Sequence, residues 1–379
     1  MGASGPKLLL LIRQLAAGGA ERQLVLLARE LHREGFAVSV GTYYPGGAFQ
    51  HELESDGVPV HCIGKSGRWD LLPFTLRLVR WIWLERPAIA YGYLGTANLL
   101  LIVLRPILKW RGIAVACGVR ASDFNLALYD WPTRLVESGQ RRALRFADVV
   151  ICNSVAGRDL AVASGTMPER CVIVENGIDP ERFRFDEAAR GAQRRSFGVA
   201  ADELLVGMVG RHDPIKGYES FIAAASTIAD RRVRFVAVGS ETPGYTASLR
   251  SLVDAHGLSD RWTWAGHLDD LAAVYSALDV FCLSSTSEGF PNALAEAMCC
   301  GLPCVVTDVG DAARLLADAG WVVRSGDAGA LASALCSAIE SVPAWDRTRP
   351  RRRIEEQYGV GRLARGTLSA LSPWMGAAS

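Results

Sequence analysis

The feature that most constrains this chain is a rhythm of short apolar runs. They fall at residues 7–13, 36–43, 58–63, 88–93, 113–118, 147–152 and 171–175, and most are separated by segments of helical length. A short run that is apolar throughout predicts a strand buried on both faces. Between the first two, "ERQLVLLARELHREG" carries apolar residues at 24, 27, 28 and 31 and then a glycine, which predicts a helix with one inward face. Strands alternating with helices predict a parallel sheet covered on both sides. Residues 176–203 interrupt the rhythm with turn formers and charge and read as a linker. The alternation then restarts at 204–210, 233–239, 262–265, 279–283, 303–306 and 320–323. The expected fold is α/β, with two doubly wound, Rossmann-like parallel-sheet domains over residues 1–185 and 186–349. A last helix is expected over 350–371. The 379 residues, half of them hydrophobic, suffice for two cores. Parallel sheets of this kind bind ligands beyond the carboxyl ends of their strands, so the site is expected in loops facing a central cleft.

A net charge of +1 gives no overall pull toward nucleic acid, and none is expected as a partner. The distribution is uneven. From Lys65 to Arg145 there are 13 Lys/Arg against 5 Asp/Glu, together with five of the 10 tryptophans. From Asp186 to the end acids outnumber bases, 23 to 19. The 9 scattered cysteines lack zinc-site spacing and read as reduced thiols of a cytoplasmic protein. The opening "MGASGPKLLLLIRQL" reads as a strand rather than a secretory signal. The most apolar stretch, "ANLLLIVLRPILKW", is interrupted by Arg105 and Pro106, well short of the roughly 20 residues a spanning helix needs.

Three loops carry candidate chemistry. In "SEGFPNALAEAMCCGLP" (287–303), Pro291 suits the first helical position, which puts the cap at Phe290, a residue with no side-chain acceptor. The amides around Gly289, Phe290, Asn292 and Ala293 are then open to an anion. Glu288 and Glu296 flank that point, and a carboxylate accepts hydrogen bonds from hydroxyls. A sugar on one side of a diphosphate and a ribose on the other fits this layout; the plain alternative is two solvated glutamates. In "VGMVGRHDPIKGYESF" (206–221), Arg211 and Lys216 follow a strand in a tight loop, a pairing suited to phosphate or else a solvated turn. In "QLAAGGAERQL" (14–24), Gly18 and Gly19 let backbone approach a ligand at a helix start, and Glu21 is compatible with the helix dipole. This loop is neither a dinucleotide fingerprint nor a Walker motif. His212 and His267 read as polar loop residues.

Taken together, "GGAE" (18–21), "NGID" (176–179), "GRHDPIKG" (210–217) and "SEGFPNALAEAMCCGLPCVVTD" (287–308) resemble the group 1 family of retaining glycosyltransferases. The resemblance implies the two-domain glycosyltransferase-B architecture, a nucleotide-sugar donor in the second domain, an acceptor in the first, and no metal. It implies that the final helix crosses back onto the first domain. By matching position, Arg211 and Lys216 hold the donor diphosphate. Glu288 bonds the sugar hydroxyls with the amides of Gly289 and Phe290. The amides near Asn292 and Ala293 meet phosphate, Glu296 meets the ribose, and Gly19 admits the ligand from the first domain. Many members carry a histidine after the strand that here ends "VACGVRASDF"; this chain has Arg120 and Asp123, which either bind an acceptor or pair with each other.

The basic, tryptophan-bearing stretch "GKSGRWDLLPFTLRLVRWIWLERP" sets Arg77 and Arg80 among Leu76, Val79, Trp81 and Trp83. It reads as an amphipathic face for anionic lipid, or as a helix with its tryptophans in the core. The expected activity is retaining transfer from a nucleotide-diphosphate sugar, UDP ahead of GDP, to a glycan or lipid-linked acceptor in cell-envelope assembly. It is expected in the cytoplasm, peripheral to the inner face of the membrane. A sugar-nucleotide epimerase and a non-catalytic nucleotide-sugar binder are the rival readings.

Overall fold

The computed structural model describes residues 5–67, 69–120 and 138–376. The chain divides into two units, residues 1–177 with 360–379 and residues 178–359. Each is built on a wholly parallel sheet. The first orders its strands β3-β2-β1-β4-β5-β6-β7 and the second β10-β9-β8-β11-β12-β13.

In the first unit the strands are β1 (Leu8–Ile12), β2 (Val38–Thr42), β3 (Val60–Cys62), β4 (Ile89–Gly92), β5 (Ala114–Val119), β6 (Val149–Cys152) and β7 (Cys171–Ile173). All five β1 residues are buried, since apolar layers cover both sheet faces. Leu8 and Leu10 face the core that includes Leu24, Leu27 and Leu31 of the Gly19–Arg33 helix, whereas Leu9 and Leu11 face the core of the Leu72–Glu85 and Gly95–Trp110 helices. Each such side chain contributes roughly 2 kcal/mol of burial.

The second unit repeats the plan with β8 (Leu204–Val209), β9 (Val233–Val238), β10 (Trp262–Gly266), β11 (Val280–Leu283), β12 (Cys304–Thr307) and β13 (Gly320–Val323). All thirteen expected strands have a counterpart within three residues at either end. In both sheets the strand order reverses between two neighbours, β1 and β4 in one, β8 and β11 in the other. Loops leaving the carboxyl ends of such a pair diverge and leave room for a ligand.

Three boundaries differ from expectation. The first unit ends at 177, not 185, and the second runs to 359, not 349. The "linker" is part of the second unit, because Glu187–Ser196 is a helix capped by Asp186, whose Oδ1 accepts from Ala189 N at 2.9 Å. Arg190 and Arg194, one turn apart on that helix, bond Asp279 at 2.6 and 2.9 Å, so charge that looked solvent-facing is ion-paired and turned inward. The single terminal helix is two. Thr348–Tyr358 belongs to the second unit, and Val360–Met375 packs Leu363, Ala364 and Leu371 into a core of the first. The helix break at Gly359 leaves the Tyr358 carbonyl to accept from Ile178 N at 2.7 Å, inside the second unit.

Candidate functional site

The loop after β8 runs from Gly210 to a single 3-10 turn, Pro214–Lys216. Asp213 starts the turn by accepting from Ile215 N at 3.1 Å, and Gly217 ends it in the left-handed region at φ +66. A side chain at 217 would clash with the Ser284 carbonyl, since a Cβ there falls 2.1 Å from that oxygen. The close approach joins this loop to the one leaving β11. Thr286 N donates to Ile215 O at 2.8 Å, and Ser284 Oγ to Lys216 O at 3.1 Å.

The joined loops bring two expected residues together from 72 positions apart. Lys216 Nζ donates to Glu288 Oε1 at 2.7 Å, and Ser285 Oγ donates to the same oxygen at 2.6 Å. Their side chains are 23% and 10% exposed, so the pair is partly shielded from water yet reachable. A third loop, after β12, supports the glutamate from behind. Gly310 is left-handed at φ +54, and a Cβ there would lie 2.0 Å from the Glu288 carbonyl; Asp311 N donates to Gly289 O at 3.1 Å. Ser285, Gly310 and Asp311 were not anticipated. Ser285 alone left a signal, standing three residues before Glu288 in the same turn.

Arg211 lies in the same loop but not in the same environment. Its side chain is 62% exposed and reaches Asp213 at 2.7 Å. His212 is fully buried, with Nδ1 3.0 Å from Thr246 Oγ1 and its ring edge-on to Tyr218 and Trp264, and burial lowers its pKa. His267 is exposed beside Asp269. Neither histidine touches the Lys216–Glu288 pair.

The helix after Glu288 spans Asn292–Cys299 and has Pro291, not Phe290, at its cap, a residue that makes no side-chain cap bond. The proline contributes no side-chain acceptor, so the expected cap without one stands one residue later. Phe290 instead packs its ring 5.6 Å from that of Tyr358 and is buried. Ala293 packs against the core. Glu296, one turn beyond Asn292, is buried and accepts from Tyr275 OH at 2.8 Å. Burial and the neighbouring carboxylate both raise the Tyr275 pKa, so the phenol stays protonated and donates. The carboxylate expected to meet a ribose thus already has an internal partner.

In the first unit Gly18 caps the Gly19–Arg33 helix without a side-chain bond. Glu21 folds back over it, so a Cβ at 18 would sit 2.1 Å from Glu21 Oε2; burial raises the Glu21 pKa. Arg120 is held by side chains of the first unit. It donates to Tyr91 OH at 2.8 Å and Asn176 Oδ1 at 3.1 Å and lies 4.2 Å from the centroid of the Tyr93 ring. Asp123 lies outside the described residues. Gly177 is fixed by a reciprocal amide pair with Gln23, both bonds 2.8 Å.

Residues 203–341 match the family described as Glycosyl transferases group 1, and residues 18–177 match the Glycosyl transferase 4-like domain. The chain belongs to the group 1 glycosyltransferases. Its two domains are of the glycosyltransferase-B type. The structure of Anabaena Alr3699/HepE in complex with UDP and glucose superposes with a TM-score of 0.84 at 24% identity, over 97% of this chain and all of that one. Sucrose-phosphate synthase from Thermosynechococcus elongatus superposes with a TM-score of 0.79 at 23% identity, over 99% of this chain and all of that one. D-inositol 3-phosphate glycosyltransferase of Mycobacterium sp. (strain KMS) is 32% identical over 220 residues, 56% of this chain and 49% of that protein. The chain spans about half the length of the curated relatives it matches. The 4-like match ends at residue 177, where the first unit ends before its C-terminal helix returns, and the group 1 match contains both members of the Lys216–Glu288 pair.

Proposed function

We propose that this family member is a retaining, metal-independent glycosyltransferase that moves a sugar from a nucleotide-diphosphate donor to a hydroxyl of a glycan or lipid-linked acceptor. The observation that carries the reading is the Lys216–Glu288 pair at the reversal point of the second sheet, just before the Asn292–Cys299 helix. An ammonium has three donors. Lys216 gives one to Glu288, and the other two suit a diphosphate, with Arg211 supplying a second cation from the same loop. Glu288 accepts from sugar hydroxyls, aided by the amides of Gly289 and Phe290. The amides of Asn292 and Ala293 face phosphate, and Glu296 takes a ribose hydroxyl while Tyr275 holds it in place.

In the reaction the bond from the anomeric carbon to the diphosphate oxygen breaks. The acceptor oxygen bonds to that carbon on the same face, and its proton passes to the departing diphosphate. Side chains then act by placement and charge rather than as a general base. UDP stands ahead of GDP, in line with the UDP complex of HepE. The first unit takes the acceptor, to which Arg120 offers a contact, and its Gly18 and Gly19 let backbone approach the nucleotide-sugar. The work belongs to cell-envelope polysaccharide or glycolipid assembly, at the cytoplasmic face of the membrane.

Thermal shift with UDP, GDP and ADP tests the donor, because a ligand that binds only the folded state raises its apparent stability. UDP-sugar incubated with and without acceptor, in EDTA, then tests the chemistry. Consumption that requires acceptor and leaves an α-linked product from an α-linked donor supports transfer. Isomerisation of donor alone, or binding without turnover, overturns it.

A further inference from the structure

The first unit carries an apolar surface that its own fold does not use. The Leu72–Glu85 helix buries Phe74, Leu78, Trp81 and Ile82 against the sheet, and the Gly95–Trp110 helix buries Leu101, Leu104 and Leu108 in the same core. Their outer sides are apolar too. Leu72, Leu76 and Leu84 are 70%, 62% and 68% exposed, and Val103, Ile107 and Trp110 are 65%, 44% and 77% exposed. The spacing is helical in both sets, so each forms a stripe. The Arg111 guanidinium lies over the rings of both Trp83 and Trp110, at 4.7 and 5.5 Å, and ties the carboxyl ends of the two stripes into one face.

The charge on this face has one sign. Residues 71–111 contain Arg77, Arg80, Arg86, Arg105, Lys109 and Arg111 against Glu85 alone. Glu85 is ion-paired with Lys7 and accepts from Ser39. Arg77 is turned back to Asp70, and Arg105 to Asp148. Arg80, Lys109 and Arg111 stay exposed beside the leucines and Trp110. Broad exposed apolar surface rimmed by charge marks a protein or a membrane partner. A basic rim with an interfacial tryptophan favours anionic lipid. No helix among the described residues is long and apolar enough to cross a bilayer.

We infer that the outer face of these two helices is a docking surface for an anionic lipid bilayer. Arg80, Lys109 and Arg111 meet the headgroups, while Leu76, Val103 and Trp110 enter the interfacial layer. This corrects the face drawn from sequence, because Trp81 is core and Arg77 is internally paired. The inference deepens the reading of a lipid-linked acceptor and rests on that reading for its purpose.

The test is co-sedimentation of the full chain with vesicles of phosphatidylcholine alone and of phosphatidylcholine with phosphatidylglycerol, alongside UDP thermal shift. Binding is expected to be about tenfold stronger or more on anionic vesicles and to fade as salt rises. Arg80→Glu/Lys109→Glu should abolish the anionic preference, and Leu76→Ser/Trp110→Ser should abolish binding to either vesicle. Both variants should keep the wild-type UDP shift. Equal binding to neutral and anionic vesicles, no binding, or variants that bind like wild type overturn the inference. So does a wild-type dimer that Leu76→Ser/Trp110→Ser converts to monomer without loss of a vesicle signal. A missing UDP shift with intact vesicle binding instead removes the donor reading and leaves the docking face standing.

Discussion

Lys216 Nζ and Glu288 Oε1 lie 2.7 Å apart, one in the loop after β8 and the other in the loop after β11. Ser285 Oγ shares the same carboxylate oxygen. The cation expected to hold a diphosphate and the carboxylate expected to hold a sugar are thus one unit, each balancing the other's charge before any ligand arrives.

Because the two act together, their losses should not add. Lys216→Ala and Glu288→Ala should each cut transfer by about 10²-fold or more, some 3 kcal/mol for one preorganised charge contact. The double variant should lose little beyond the worse single one. Turnover measured across the four-member cycle checks this, and simple additivity would separate the pair functionally.

Arg211 should behave differently. Its ion pair with Asp213 is exposed, and such pairs contribute under about 1 kcal/mol. Arg211→Ala should therefore leave the urea midpoint unchanged while weakening UDP binding by roughly tenfold. Calorimetric titration and a denaturation curve on the same sample distinguish a ligand contact from a structural one.

Asp279 tests the reassignment of the 187–196 helix. This buried carboxylate accepts from Arg190, Arg194 and Leu205 N, the last at 2.7 Å. Removing one partner of a buried charge network costs about 3–5 kcal/mol. Asp279→Ala should lower the stability of the second unit by that order, whereas a free linker would tolerate the change.

His212 gives a pH signature. Burial lowers its pKa, so below the value of about 6.5 for an exposed histidine the unfolded chain binds a proton that the folded chain does not. The contribution is whole above that pH and falls as the solution is acidified through the window beneath it. Thermal midpoints between pH 7.5 and 5.5 should fall more steeply in wild type than in His212→Asn, and parallel profiles would exclude the residue as the source.

Much of this was legible in the residues. Apolar runs gave the strands, because a strand covered on both faces needs apolar side chains on both. Pro291 and the residues around it predict a helix start whose cap residue has no side-chain acceptor, to within one position. What escaped notice depended on remote partners. Glu187–Ser196 reads as a linker because arginines are ordinarily solvated, and Asp279, more than 80 residues away, supplies the charge that makes their burial favourable. Glu296 looked ready for a ligand because Tyr275 lies on another helix. Arg120 has partners in Tyr91 and Asn176, which its neighbourhood in the sequence does not show.

The amino-acid order by itself determined that there would be two parallel sheets and that the Lys216 and Glu288 motifs would sit in loops at strand ends, since periodicity and turn formation are local properties of the chain. Tertiary structure alone decided which charges meet: Lys216 with Glu288, Asp279 with two arginines, Arg120 with two tyrosines and an asparagine. An ionised side chain is held out of water only where a partner of matching geometry arrives, and which segment brings that partner is fixed by how the strands order in the sheet.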